Sequence, residues 1–253
     1  MILSVTIFLF GLIIGSFINV CIYRIPRGES VISPGSHCPS CQTSVRFYDN
    51  IPLLSFLLLR GRCRSCKTPI SLRYPAVELF HAIGYVVILH YFGPSLEAGV
   101  YALFFSSLVA ITFIDLSHQI IPDRISLPGI VLGLLFASTV LPTGPVNAFL
   151  GFLIGGGFFY LIAILALFFL KKEGMGGGDI KLAAMIGAFL GWQKLLLTVF
   201  LASLLGSVIG ITLILSKLRS RQDLIPFGPF LAAGAMIALF WGNDLLHWYF
   251  YRV

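Results

Sequence analysis

GGGDIKLAAMIGAFLGW, residues 176–192, is the stretch on which the fold turns. Gly174, Gly176, Gly177 and Gly178 run up to one carboxylate, Asp179, and after Lys181 comes an apolar piece, residues 182–192, only eleven residues long. As a helix, the fourteen residues from Asp179 to Trp192 rise roughly 21 Å, against a hydrocarbon core of about 30 Å. Two arrangements fit that length. Either the piece turns back as a re-entrant segment, or it crosses, and then either the bilayer thins locally or Asp179 lies below the cytosolic interface while Lys181 snorkels out.

The flanking sequence favours a crossing. Seven longer apolar runs, 2–23, 75–92, 98–114, 125–141, 146–170, 195–216 and 227–243, each reach the roughly 17 residues that a spanning helix needs. Of the 253 residues 58% are hydrophobic and 11% charged, and mean hydropathy is +0.97. A soluble domain carries about a quarter charged residues, so this chain is a membrane protein. Its 23 Phe and 3 Trp, with an aromatic belt at 245–250, suit lipid interfaces. The first run lacks a basic leader and a small-x-small cleavage site, so it reads as a retained anchor. The net charge of +7 is scattered over short loops and forms no nucleic-acid patch.

Charge chooses between the two arrangements. With the short piece spanning and the N-terminus outside, fifteen Lys and Arg face the cytosol and two, Lys194 and Arg252, face out. With the piece re-entrant the count is fourteen to three, so the positive-inside rule favours the span. The expected fold is an all-α polytopic membrane protein of about eight helices with both termini outside. Residues 1–23 form the first span, 24–74 a small cytosolic loop domain, and 75–253 a membrane-embedded domain.

The loop is too small and too polar to hold a core of its own. It carries Cys38-x2-Cys41 and, after 21 residues, Cys63-x2-Cys66, a spacing one residue beyond the usual range for a zinc site. Two such turns offer four thiolates to one tetrahedral ion, and the cytosol keeps thiols reduced, so structural zinc is expected and disulfides are not. The fifth cysteine, Cys21, is a small buried hydrophobe inside the first run.

Two acids stand where apolar runs meet the cytosolic side: Asp115, ending 98–114, and Asp179. Ionisable groups at that depth mark functional sites. Two carboxyls sharing a proton divide into acid and base, the pair that activates water against an amide and protonates the departing nitrogen. The glycines before Asp179 are expected to let a substrate backbone approach and to take positive φ where the helix breaks. Asp123, after Ile121-Pro122, is expected to cap a helix N-terminus, and His118 to lie in a loop. His81 and His90 are nine residues apart and form no HExxH zinc motif. A proton-coupled transporter with relay acids is the alternative class, but it predicts an inverted repeat that the sequence does not display.

Gly176-Gly177-Gly178-Asp179 is similar to the GxGD signature of intramembrane aspartyl proteases. The wider strings EGMGGGDIKL (173–182), FIDLSHQIIPD (113–123), GSFINVCIYRIP (15–26), SHCPSCQ (36–42), YDNIPLLSFLLLRGRCRSC (48–66) and ISLRYPAVEL (70–79) together resemble the bacterial prepilin peptidases. The resemblance covers nearly the whole chain. It implies a multi-pass enzyme of the bacterial inner membrane, active toward the cytosol. Such an enzyme cleaves leaders from type IV prepilins and pseudopilins, then methylates the new N-terminus with S-adenosylmethionine. It implies Asp115 and Asp179 as the catalytic pair, Cys38, Cys41, Cys63 and Cys66 as zinc ligands, and membrane lipid as a further partner. The methyl-donor residues stay unassigned: Gly174-x-Gly176 follows no strand and is no dinucleotide fingerprint.

Overall fold

The structure is a computed structural model that describes residues 2–170, 176–218, 220 and 225–252; Gly174 of the glycine run, Arg219 and Arg221 lie outside them. The described residues form helices and no named strands, in two compact units, Met1–Ala110 and Ile111–Val253.

The first unit contains α1 (Ile2–Arg24), the short α2 (Leu54–Leu58), α3 (Arg73–Phe92) and most of α4 (Leu96–His118). Gly11 and Gly15, one turn apart, bring α1 onto α3. A Cβ at Gly11 would stand 2.7 Å from the Ala82 Cα, and one at Gly15 2.8 Å from the Glu78 Cα. This is small-residue packing, which draws helices together where lipid offers no hydrophobic drive. One turn further, Asn19 continues the stripe and its Nδ2 donates to the Tyr74 carbonyl at 3.0 Å. Between α3 and α4 the buried His81 Nε2 and Tyr85 hydroxyl each lie 2.9 Å from Ser106 Oγ.

The second unit is built from the end of α4, α5 (Asp123–Ala137), α6 (Pro145–Leu170), α7 (Gly177–Leu215) and α8 (Gly228–Arg252). Its centre is the short piece that opened the sequence reading. Every residue from 182 to 191 is buried, and a helix apolar all round belongs in such an interior. Glycines on its neighbours make the room. A Cβ at Gly129 of α5 would meet Met185 Sδ at 2.3 Å. On α6, one at Gly151 would meet the Gly187 carbonyl oxygen at 2.3 Å, and one at Gly155 that of Ala183 at 2.5 Å.

Among the described residues six helices, where about eight were expected, are long and apolar enough to cross a membrane: those beginning at Ile2, Arg73, Leu96, Pro145, Gly177 and Gly228. All eight expected runs are helical, but two are too short to pass that test alone. α5 stops at Ala137 after 15 residues, where 125–141 was expected, and holds Pro128 within it. Residues 182–192 and 195–215 run on within the 39-residue α7, which is two helices joined across a kink, as the two separate runs implied; unbroken it would rise roughly 58 Å. Gly191, at φ 80° and ψ 171°, breaks it. The break strands the Phe189 carbonyl, which accepts from Thr143 Oγ1 at 3.0 Å.

Candidate active site and metal centre

In the first unit the two Cys-x2-Cys segments fold as copies of one turn. Cys38 N–H donates to the Thr43 carbonyl and Gln42 N–H to that of Cys38; Cys63 N–H and Lys67 N–H repeat the pattern with Thr68 and Cys63. Gln42 and Lys67 hold the left-handed positions, φ 59° and 60°. The turns face each other, so the four Sγ atoms lie within 4.8 Å of one another, with Cys38–Cys66 at 3.8 Å and Cys41–Cys63 at 4.0 Å. A tetrahedral ion with sulfur at about 2.3 Å sets its ligands about 3.8 Å apart, so this donor set can hold a metal ion.

Two residues beside the cysteines escaped the sequence reading. The Thr43 hydroxyl lies 3.3 Å from Cys41 Sγ and that of Thr68 3.1 Å from Cys66 Sγ. Each hydroxyl favours the thiolate, lowering the Cys41 pKa and bringing that of Cys66 down to about 6. The signal was the twice-repeated Cys-x2-Cys-x-Thr. Further along the loop, Arg64 grips Asp49 through two bonds of 2.8 and 2.6 Å and holds its carboxyl below the usual range.

In the second unit Asp115 and Asp179 come to one place by way of Ile121. A Cβ at Gly178, beside Asp179, would meet the Ile121 Cβ at 2.8 Å. One at Gly228 would stand 2.6 Å from Asp115 Oδ2 and 3.4 Å from Ile121 Cδ1. The two carboxyls are near enough for their charges to interact. Asp115 is buried on the last turns of α4, and Asp179 is half-buried in the first turn of α7. Gly228 opens α8, and its N–H donates to Asp115 Oδ2 at 3.0 Å, so a helix N-terminus faces this carboxylate. Sequence reasoning placed Gly228 in the apolar run 227–243 and missed this donor.

Three expectations about neighbours change. Gly176 sits at φ −68°, and Gly177 and Gly178 are already helical; positive φ on this helix belongs to Gly191. Gly178 instead leaves room for Ile121, while around Gly177 a side chain would meet nothing within 4 Å and at Gly176 only Asp179 Oδ2, at 3.5 Å. Asp123 stands in the first turn of α5, an acid at a helix N-terminus, but not at the N-cap, which Pro122 holds; its exposed carboxylate pairs with Lys181 Nζ at 2.5 Å. His118 ends α4 and is not a loop residue.

Comparison with known proteins agrees with this architecture. Residues 9–92 match the bacterial peptidase A24 N-terminal domain and residues 102–211 the type IV leader peptidase family. The prepilin leader peptidase/N-methyltransferase of Aeromonas hydrophila is 39% identical, over 96% of this chain and 92% of that protein. The enzymes of the same description from Pseudomonas aeruginosa, 37% identical over 95% and 91%, and Legionella pneumophila, 36% over 95% and 92%, are alike. No solved structure matches the chain. Two family models that together follow the chain from α1 into α7, and relatives aligned over nearly its whole length, establish it as a member of the type IV leader peptidase family.

Proposed function

We propose that this chain removes the leader peptide from type IV prepilins and pseudopilins and then methylates the exposed N-terminus. The observation that carries the peptidase half is the convergence of Asp115 and Asp179 on Ile121, with the Gly228 N–H on Asp115. A carboxylate that accepts a backbone N–H is favoured in its ionised form, so Asp115 is the base that takes a proton from the attacking water. Asp179 carries the shared proton and gives it to the departing amide nitrogen. The open space at Gly176 and Gly177 lets an extended substrate backbone lie against Asp179. The acids lie toward the cytosol of a multi-pass inner-membrane enzyme, as the charge count supports.

The metal at Cys38, Cys41, Cys63 and Cys66 is zinc on this reading. Four sulfurs leave no open position, so its work is to fold the loop of residues 24–74. S-adenosylmethionine, when bound, supplies a methyl group on a sulfonium. The cysteine-bearing unit has room for such a ligand: an open cleft of about 330 Å³ lined by apolar side chains and by Ser16, Arg24, Ser36 and Asn50.

The test is cleavage of a leader-bearing pilin by purified protein in detergent. Asp115→Asn and Asp179→Asn should each abolish it, and the double variant should be scarcely worse, because the pair acts as one unit. Both should still methylate a pre-cleaved pilin. A folded Asp115→Asn protein that cuts at the parent rate defeats the dyad.

A further inference from the structure

The cysteine loop carries an apolar stretch that the metal turns do not use. Residues 51–59, IPLLSFLLL, hold no charge, and Arg60 and Arg62 follow directly. Such a run is too short to cross a bilayer and belongs in a core, in a re-entrant segment or at an interface. Exposure rules out the core. Leu57 and Leu58 of α2 are 71% and 73% exposed, and Ile51 and Leu54 are exposed as well. A contiguous apolar patch of this kind marks a surface that something covers.

The depth of the stretch along the spans identifies the cover. α1 and α3 run antiparallel, Gly11 facing Ala82, Gly15 facing Glu78 and Asn19 bonded to the Tyr74 carbonyl. The Leu53 N–H donates to Glu78 Oε2 at 2.9 Å, which sets the start of α2 close to the level of Gly15. Gly15 is nine residues in from Arg24, the end of α1, or roughly 13 Å along the helix. A side chain on α3 leans toward its N-terminus, the loop end, and gives back only part of that depth. A second observation agrees. Asn50 and Pro52 share the open cleft with Ile13 and Phe17 of α1, and Ile13 is deeper than Gly15. Ile13 and Phe17 are themselves exposed on a helix of membrane-spanning length, so this side of α1 faces lipid. The stretch therefore lies beside the spans and not beyond their ends.

Its backbone and its charges suit that place. Ahead of the helix the Ile51 N–H donates to Ser55 Oγ at 3.0 Å and the Leu53 N–H to Glu78, as irregular backbone at membrane depth requires. Residues 24–74 hold eight Lys and Arg against two acids, Glu29 and Asp49, and Asp49 is matched by Arg64. Arg60 and Arg62, both exposed, come directly after the leucines, where headgroup phosphates begin.

We propose that residues 51–59 are a foot set into the bilayer, with Leu54, Leu57 and Leu58 in the acyl region of the leaflet on the loop's side and Arg60 and Arg62 among its headgroups. The cover of the patch is lipid. The loop domain is then not wholly in water, and its second Cys-x2-Cys turn, beginning at Cys63, is held at headgroup level.

The test uses the parent protein in vesicles of phosphatidylethanolamine and phosphatidylglycerol, irradiated with a diazirine reagent dissolved in the acyl phase. Leu54, Leu57 and Leu58 should carry label at the level of Ile13 and Phe17, and the Cys63–Cys66 turn none. Label on Ile13 and Phe17 with none on residues 51–59 overturns the proposal, and that result needs no variant. A benzophenone side chain in place of Leu57 then identifies the cover. An adduct heavier by one phospholipid supports the foot; an adduct with a pilin or a second copy, or no lipid adduct, overturns it. Leu57→Asp combined with Leu58→Asp should cut acyl-phase labelling of the stretch roughly tenfold or more, because carboxylates leave hydrocarbon. Metal content, which a misfolded loop would lose, should stay at the parent level. Labelling unchanged by the two acids in a metal-loaded variant also overturns the proposal. None of these readouts depends on cleavage or methylation.

Discussion

Replacing Gly228 by alanine tests the dyad without touching either acid. The backbone there is ordinary, so the cost is steric and local. The added Cβ would stand 2.6 Å from Asp115 Oδ2 and 3.3 Å from Cγ. The carboxylate must retreat by roughly 0.6 to 0.8 Å to regain ordinary contact, and it lengthens or loses the 3.0 Å bond from the Gly228 N–H. A hydrogen bond to a charged group is worth about 1.5–3 kcal/mol, about 10- to 150-fold in rate if fully expressed in the transition state. A misplacement approaching 1 Å in a positioned catalytic group costs about a hundredfold by itself. Gly228→Ala should therefore cleave a leader-bearing pilin about a hundredfold more slowly, through kcat and not KM, since Gly228 meets the acid and not the substrate. Methylation of a pre-cleaved pilin and zinc content should be unchanged, because the cysteine loop lies in the other unit. In an Asp115→Asn background the alanine should add almost nothing, for the same unit is already disabled. A folded Gly228→Ala enzyme that cleaves within a few-fold of the parent refutes the assignment of this N–H.

Other outcomes follow from the same geometry. Thr43→Val and Thr68→Val should each weaken zinc binding by about 10- to 100-fold, read by competition with a chromogenic chelator, because each removes a hydroxyl that supports a thiolate. Asp123→Asn breaks a mostly exposed ion pair worth about 0–1 kcal/mol, so its cleavage rate should stay within a few-fold of the parent; a large loss would make Lys181 part of the site. A reporter fused after Ser220 should be cytosolic and one after Gly191 external. A Ser220 fusion found outside would mean that residues 177–190 do not cross the membrane.

How much of this was readable beforehand depends on whether a feature is local or comes from distant residues meeting. The apolar runs and the paired Cys-x2-Cys turns are local patterns with fixed periods, and they fold close to the reading, with α5 stopping at Ala137 short of the expected 141. Residues 182–192 mark the limit. Their length announced something unusual, but eleven apolar residues look alike whether they face lipid or protein. What settles the matter is glycine elsewhere, at 129, 151 and 155, whose value is the side chain they lack. An absent Cβ leaves no periodic trace. The same holds at the acids: Asp115 and Asp179 stand out because charge is costly in an apolar run, whereas Gly228 acts through a backbone N–H that every residue but proline carries. Its choice there follows from the 2.6 Å that an added carbon would leave to Asp115 Oδ2. Among the described glycines of the run, only Gly178 has a collision to avoid, with Ile121, while a side chain on Gly177 would meet nothing within 4 Å. Of the described glycines before Asp179, Gly178 thus lets Ile121 pack, while Gly176 and Gly177 leave open the face that the proposed peptidase reading gives to an extended substrate.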